Sequence, residues 1–211
     1  PRLVSLSATG SADATPDAAR ASLSVVTNDP ASAQAAQEAA AIATTEVLDA
    51  LKAAGIADAD IATQSVNVGP TYTYTADGGQ TPTGFQASQS LTVTLRDLTT
   101  AGATLDAVVA AAGNAARVDS LSTFVTDPSV ALDQARAQAV GIARAQAEQY
   151  AQLLGFSLGP VASVTESSTT SLPAPMAMAD AVAGAEKVPT PVEAGTTQVS
   201  VSLSIAWSIE D

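Results

Sequence analysis

Side chains that could perform catalysis are few in this sequence, and two of the commonest kinds are missing. The 211-residue chain contains neither histidine nor cysteine. This excludes a histidine-based triad, a thiolate nucleophile, a Cys/His zinc site and a disulfide. A serine nucleophile would need Lys52 or Lys187 as its base, and the sequence has no Ser-x-x-Lys motif. Because Lys52 falls late in a predicted helix, where a cation favours the helix dipole, we interpret it as structural.

The acidic residues offer two close pairs that could act as general acid and base or as oxygen ligands. Asp58 and Asp60 lie in a short polar loop after a predicted helix, and Asp13 and Asp17 flank a turn. Turn formation and helix capping account for both pairs. Oxygen ligands would select Ca²⁺ or Mg²⁺, but the sequence has no EF-hand pattern and no phosphate-binding glycine motif. We therefore predict no catalytic, cofactor-binding or metal-binding residues.

Aromatic and sulfur-containing side chains are rare, and five of them are the candidates for contact with a partner or ligand. Tyr72 and Tyr74 alternate with threonines beside a predicted turn, where they either pack locally or form a contact surface. Phe85 opens the following strand. Met176 and Met178 lie in a Pro- and Ala-rich segment, where they either pack or ligate Cu(I).

Bulk composition narrows the classes of partner. The chain has 21 acidic and 8 basic residues, a formal net charge of -13. This charge argues against binding to nucleic acid or to an anionic lipid surface. It serves either solubility or a site for cations or basic partners. No apolar run approaches the roughly 20 residues that span a bilayer.

The periodicity of apolar residues predicts ten elements in the order β-β-α-β-β-α-β-α-β-β. Asp29-Pro30 and Asp127-Pro128 each predict a helix start with aspartate as the N-cap, and Gly55 predicts the end of the first helix. The predicted strands cover 3–10, 21–25, 61–74, 83–96, 117–126, 158–169 and 199–209, and the predicted helices cover 30–54, 98–112 and 128–154. The stripe expected to face the sheet in the third helix is Leu132, Ala135, Ala139, Ile142, Ala143, Tyr150 and Leu154.

This order favours an α+β fold: a mostly antiparallel sheet with long helices packed on one face and a split βαβ core. We expect a single domain over residues 1–211, with an irregular Pro/Met-rich segment at about 170–193. The opposite sheet face would carry Ser, Thr and Gln with few charges. Such a face can meet water or another subunit.

An ordered set of short motifs resembles the SIMPL-domain family, also described as periplasmic or outer-membrane immunogenic proteins of unknown biochemical role. Ala8 stands where the family usually has a glycine, and Gln146 where it often has a lysine. The motifs that carry the resemblance are Gly10 with Pro16-Asp17, Gly55-Ile56 with Asp60-Ile61-Ala62-Thr63, Pro70-x-Tyr72-x-Tyr74, Gly84-Phe85-x-Ala87, Ala135-Arg136-x-Gln138-Ala139 and Pro191-Val192-x-x-Gly195.

The resemblance implies an exported bacterial envelope protein, periplasmic, secreted or lipid-anchored, with a tendency to self-associate and links to envelope or oxidative-stress tolerance. The start at Pro1 fits a removed signal peptide, a lost lipidated cysteine or a trimmed chain. The resemblance supplies no catalytic residues. We therefore expect a non-enzymatic homo-oligomer that acts by self-assembly or by binding, with an envelope protein as a further partner. The alternative is a small-ligand or cation-binding module of the cell envelope.

Overall fold

The order of secondary-structure elements follows the predicted order. A computed structural model describes residues 2–74, 77–170 and 190–210. The strands are β1 (Leu3–Ala14), β2 (Ala18–Asp29), β3 (Ile61–Tyr74), β4 (Gln80–Leu95), β5 (Ala116–Phe124), β6 (Ser157–Thr170) and β7 (Thr197–Glu210). The α-helices are α1 (Ala33–Ala53), α2 (Leu98–Ala112) and α3 (Ser129–Leu154). The α+β class and the β-β-α-β-β-α-β-α-β-β order are confirmed.

The strands divide between two antiparallel sheets. A three-stranded sheet has the order β1-β7-β6, and a four-stranded sheet has the order β3-β4-β2-β5. Each sheet belongs to one compact unit of the chain. Among the described residues, unit 1 comprises 2–16, 124–170 and 195–210, and unit 2 comprises 17–74, 77–123 and 190–194. Whether the two units behave as the single domain we expect stays a prediction.

Unit 2 contains the split βαβ arrangement. Its elements follow the order β2-α1-β3-β4-α2-β5, and β4 lies between β3 and β2 in the sheet. Helix α1 packs on β2 and β4 through a stripe of small and branched side chains, as its periodicity predicted. The largest fully buried side chains of this core are Leu23, Val25, Val47, Leu51, Leu91, Val93, Leu95 and Val108.

Unit 1 packs α3 on β1 and β7 at very short range. The closest approach is at Gly10, where an added Cβ would overlap the backbone of Ala135 and Ala139. Only small side chains fit such a spacing, and alanine recurs at every fourth position along the helix. The buried residues of α3 are Ala131, Ala135, Ala139, Ala143, Ala147 and Ala151.

The predicted stripe of α3 was therefore wrong at three of its four large residues, whereas Leu132 is half-buried and packs against the core. Ile142, Tyr150 and Leu154 are exposed, since a branched or aromatic side chain would hold the helix away from Gly10. Apolar bulk in this core comes instead from the sheet. Trp207 is buried there with Leu203 and Ile205.

Two helix starts also differ from the expected Asp-Pro pattern. Ser32, rather than Asp29, is the N-cap of α1, and its hydroxyl accepts from the amide of Ala35. Asp29 instead accepts from the amides of Ala31 and Ser32 in the turn that precedes the helix. Asp127 likewise accepts from the amide of Ser129, the first residue of α3.

Candidate interaction surfaces

One face of the three-stranded sheet in unit 1 is lined with hydroxyl groups in rows that cross the strands. Thr9 and Ser202 lie opposite each other with their hydroxyl oxygens 2.8 Å apart, and Ser7 donates to Ser204 over 3.3 Å. We call this surface the hydroxyl face, and all its side chains are exposed or half-buried. It consists of Ser5, Ser7, Thr9, Ser11, Ser163, Thr165, Ser167, Ser200, Ser202 and Ser204.

The hydroxyl face matches the polar, uncharged sheet face expected from the sequence. It is opposite the face on which α3 packs, because residues of β7 alternate between the buried core and this surface. None of its ten side chains carries a charge, in a chain whose net charge is -13, and the acidic residues on the same side of the sheet, Asp13 and Glu210, lie near the ends of β1 and β7. Hydroxyl groups lose less on leaving water than charged groups do, so this face can be covered by another molecule at moderate cost.

The second candidate surface is the end of the β3–β4 hairpin in unit 2. Strand β2 pairs with β4 only as far as Phe85, so the hairpin continues beyond that point as two strands. Tyr72 lies opposite Pro82 and Tyr74 opposite Gln80. The two tyrosines are 47% and 73% exposed. We call this end of the hairpin the tyrosine hairpin.

The five residues nominated for contact are not brought together. Tyr72 and Tyr74 share the tyrosine hairpin, whereas Phe85 is half-buried and packs with Ala36 and Ala40 of α1 and with Ala87. Met176 and Met178 lie outside the described residues. A role in contact stays a prediction for all five of them.

Two of the four acidic residues considered for chemistry, Asp58 and Asp60, lie in ion pairs. Asp60 accepts two hydrogen bonds from Arg96, at 2.8 and 2.7 Å, and Lys52 lies 3.2 Å from Asp58. The bidentate bond from Arg96 lowers the pKa of Asp60, and the carboxylate in turn raises the pKa of Arg96. Asp58 and Asp60 are thus bound to two different cations near the end of α1, as turn and helix-end residues often are. This arrangement is in line with the structural role we inferred for the two residues.

Other carboxylates anchor chain segments within each unit. In unit 1, Arg136 of α3 donates to Glu166 of β6, and this lowers the pKa of Glu166. In unit 2, the amide and hydroxyl of Thr190 donate to Asp106 of α2 and lower its pKa. Asp97 is the N-cap of α2, and hydrogen bonds from Thr99 and Thr100 lower its pKa.

These lowered pKa values predict that the stability of the fold decreases in acid and does not change near neutral pH. A carboxyl group whose pKa is lower in the folded state adds stability above its unfolded pKa, and that stability is lost as pH falls. We expect the midpoint temperature of unfolding to decrease when the pH is lowered below about 4.5. Between pH 6 and 8 we expect it to stay constant, because the chain has no histidine to titrate in that range. Thermal melts followed by circular dichroism from pH 3 to 8 measure this. A fall in the midpoint between pH 8 and pH 6 would contradict it.

A shallow depression lies among the described residues of each unit. That of unit 2, about 450 Å³, is lined by Ile56, Leu95 and the Asp60–Arg96 pair. That of unit 1, about 380 Å³, lies beside Trp207. No group of three or more acidic, histidine or cysteine side chains in the described part of the chain could hold a metal ion. None of the described helices has the length and hydropathy of a membrane span.

Comparison with known proteins identifies the class of protein that carries this pair of sheets. The model of the SIMPL family, described as a protein of unknown function (DUF541), matches residues 4–207. The chain therefore belongs to the SIMPL family, as the resemblance of its motifs implied.

Curated relatives share about a third of their residues with this chain. The 26 kDa periplasmic immunogenic protein of Brucella melitensis is 34% identical over all of this chain and 86% of its own length. The uncharacterized protein YggE of Escherichia coli K12 is 34% identical over 81% of this chain and 68% of its own length. The protein is extracytoplasmic, in keeping with the periplasmic relatives.

Proposed function

We propose that this protein works in the cell envelope by self-assembly or by binding, and not by catalysis. The observation that carries the proposal is the hydroxyl face: ten exposed or half-buried hydroxyl side chains without charge, on a chain with a net charge of -13. Two copies that meet through charged surfaces of one sign repel each other, whereas this face brings no charge into contact. The extracytoplasmic relatives and the self-association implied by the family support the same proposal.

Assembly is the favoured form of this activity. We propose a homo-oligomer in which the hydroxyl face is covered by another copy, and we propose contact with a further envelope protein as a secondary role. A contribution to envelope or oxidative-stress tolerance, which the family resemblance implies, would follow from such an assembly. The same resemblance is the basis for proposing a lipid anchor in the precursor.

Size-exclusion chromatography with light scattering tests the assembly. We expect the wild-type protein to be oligomeric at micromolar concentration, and Ser202→Glu to lower its mass by placing charge in the middle of the hydroxyl face. Gln37→Glu is the matched control, because it adds the same charge at an exposed position of α1 in unit 2. A wild-type monomer at every accessible concentration would overturn the assembly.

A binding module is the second candidate, and the tyrosine hairpin favours it. Exposed tyrosines offer a large contact area at low cost in side-chain entropy. A thermal-shift screen with metal ions and metabolites tests this candidate, because a ligand that binds only the folded state must raise the midpoint. Loss of such a shift in a Tyr72→Ala, Tyr74→Ala double variant would locate the ligand at the hairpin.

A further inference from the structure

The two sheets have four edge strands, and three of them carry features that oppose pairing with another chain. Prolines, irregular register and charged side chains are the usual protection of an exposed edge. Strand β3 contains Pro70 and two shifts of register, and β6 contains Pro160 and two shifts of register. Strand β5 carries exposed Arg117 and Asp119.

Strand β1 lacks all three kinds of protection over most of its length. It pairs with β7 through twelve consecutive residues, Leu3 to Ala14, without a shift of register. Between Leu3 and Ala12 it contains neither proline nor a charged residue. Its one strand neighbour within the described residues is β7, and no other described strand pairs with its second side.

The hydrogen bonds around β1 show which main-chain groups face the open side. The carbonyl of Arg2 accepts from the amide of Ile209, so the main-chain groups of even-numbered residues point toward β7. Those of the odd-numbered residues point away from it. At Ser11 this side is already used, because its amide donates to the side-chain oxygen of Gln138 of α3 over 2.6 Å. The open part of the edge is therefore offered by Leu3, Ser5, Ser7 and Thr9.

We propose that this edge pairs, antiparallel, with the same edge of a second copy, so that two three-stranded sheets become one sheet of six strands. This rests on the proposed function as an assembling protein, and it names a second surface, separate from the hydroxyl face, through which copies join. One register uses all four open residues: Leu3 opposite Thr9 of the second copy and Ser5 opposite Ser7, with Leu6 on the two-fold axis. By symmetry each pair occurs twice, and each of the four resulting pairs exchanges two main-chain bonds, about eight in total.

The side chains of β1 suit a second copy in this register. On the side of α3, Val4 and Leu6 are half-buried at the margin of the core, and the register places them opposite Ala8 and Leu6 of the second copy. On the other side, Ser5 meets Ser7, so the hydroxyl face continues from one copy into the next. Apolar groups meet apolar groups on the side of α3, and on the other side hydroxyls meet in the Ser5–Ser7 pairs, while Leu3 meets Thr9 at the two ends of the contact. That self-complementarity argues for a second copy and against a charged peptide.

Single cysteines test the register without background, because the chain has no cysteine of its own. Leu6→Cys would place the two thiols opposite each other in a pair with Cα atoms about 4.5 Å apart, which a disulfide can bridge. Ser7→Cys controls the register, since its two copies would be diagonal neighbours about 7–8 Å apart. Val66→Cys controls for random collision, since it lies on the edge strand β3 and is 57% exposed. We expect mild oxidation to cross-link Leu6→Cys several-fold more than either control on non-reducing gels.

A proline at position 7 tests the same edge without oxidative cross-linking. Ser7→Pro removes an amide that points to the open side, so the bonds between β1 and β7 remain, and proline is tolerated at such edge positions. We expect its mass by light scattering to fall below that of the wild type. If the wild type is oligomeric but Leu6→Cys cross-links no better than the controls, the proposed pairing through β1 is wrong and the proposed self-assembly remains. A monomeric wild type would overturn both, and if Ser7→Pro fails to fold, the cysteine result decides.

Discussion

The Gly10→Ala variant is expected to lose about 3 kcal/mol of unfolding free energy, at the upper end of the usual cost of overpacking a core. The added Cβ would overlap the carbonyl oxygen of Ala135 and the amide nitrogen of Ala139, which are backbone atoms of α3. A flexible side chain could turn aside, but a helix backbone can only move as a whole. The helix would have to lift from β1, and the row of buried alanines would lose its contact with the sheet.

Gly141→Ala is the matched control for this prediction. Gly141 lies inside α3, is exposed, and has nothing within 4 Å of an added Cβ. Alanine should stabilise the helix there by about 0.5–1 kcal/mol, since glycine costs that much in a helix interior. Urea denaturation followed by circular dichroism would give both values. Equal midpoints for Gly10→Ala and the wild type would contradict the close packing of α3 on β1.

The Leu91→Ala variant is expected to lose about 3 kcal/mol, within the range measured for buried leucines. Leu91 lies on β4 in the middle of the core of unit 2 and is fully buried. Its removal leaves a cavity between the sheet and the helices that the surrounding backbone cannot close. Val66→Ala on β3 is the control, because an exposed side chain of the same sheet should change stability by less than about 0.5 kcal/mol.

The same variant tests whether the two units unfold as the single domain we propose. The chain has one tryptophan, Trp207, and it is buried in unit 1, so its fluorescence reports on unit 1 alone. If the chain is one cooperative domain, Leu91→Ala in unit 2 should shift the fluorescence transition as far as the circular dichroism transition. A fluorescence transition that stays at the wild-type midpoint would show that the units unfold separately.

Local patterns predicted the elements of this fold and its split βαβ core, but not the pairing of β1 with β7. Alternation located the seven strands, and helical periodicity located α1 and its buried stripe from Ala36 to Leu51. The pairing of β1 with β7 joins residues at opposite ends of the chain, and no local pattern records such a contact. The division into two sheets was missed for that reason. Large residues in α3 were misplaced because the pattern ranks Ile142 and Tyr150 by hydropathy, whereas the space beside Gly10 admits only alanine.

The interaction surfaces were predictable to different degrees. The serines and threonines of β1 and β7 alternate so regularly that the sequence alone predicted an uncharged sheet face. The open edge of β1 was not predictable, because an edge exists only once the neighbours of every strand are known. The protection of β3 and β6 by irregular register likewise depends on pairing. The sequence therefore predicts which side chains these surfaces carry, whereas the strand order determines which of them are exposed.

The pairing of β1 with β7 also bears on the order in which the two units fold. Unit 2 draws all its helices and nearly all of its four-stranded sheet from one continuous stretch, Asp17 to Thr123, and can close most of its contacts as soon as that stretch is available. Unit 1 is expected to form later, because β7, the strand between β1 and β6, follows all the other described elements. Closing a loop of this length is slow compared with local pairing. Strand β1 is therefore expected to stay unpaired while unit 2 forms, and to join its sheet only when β7 is present.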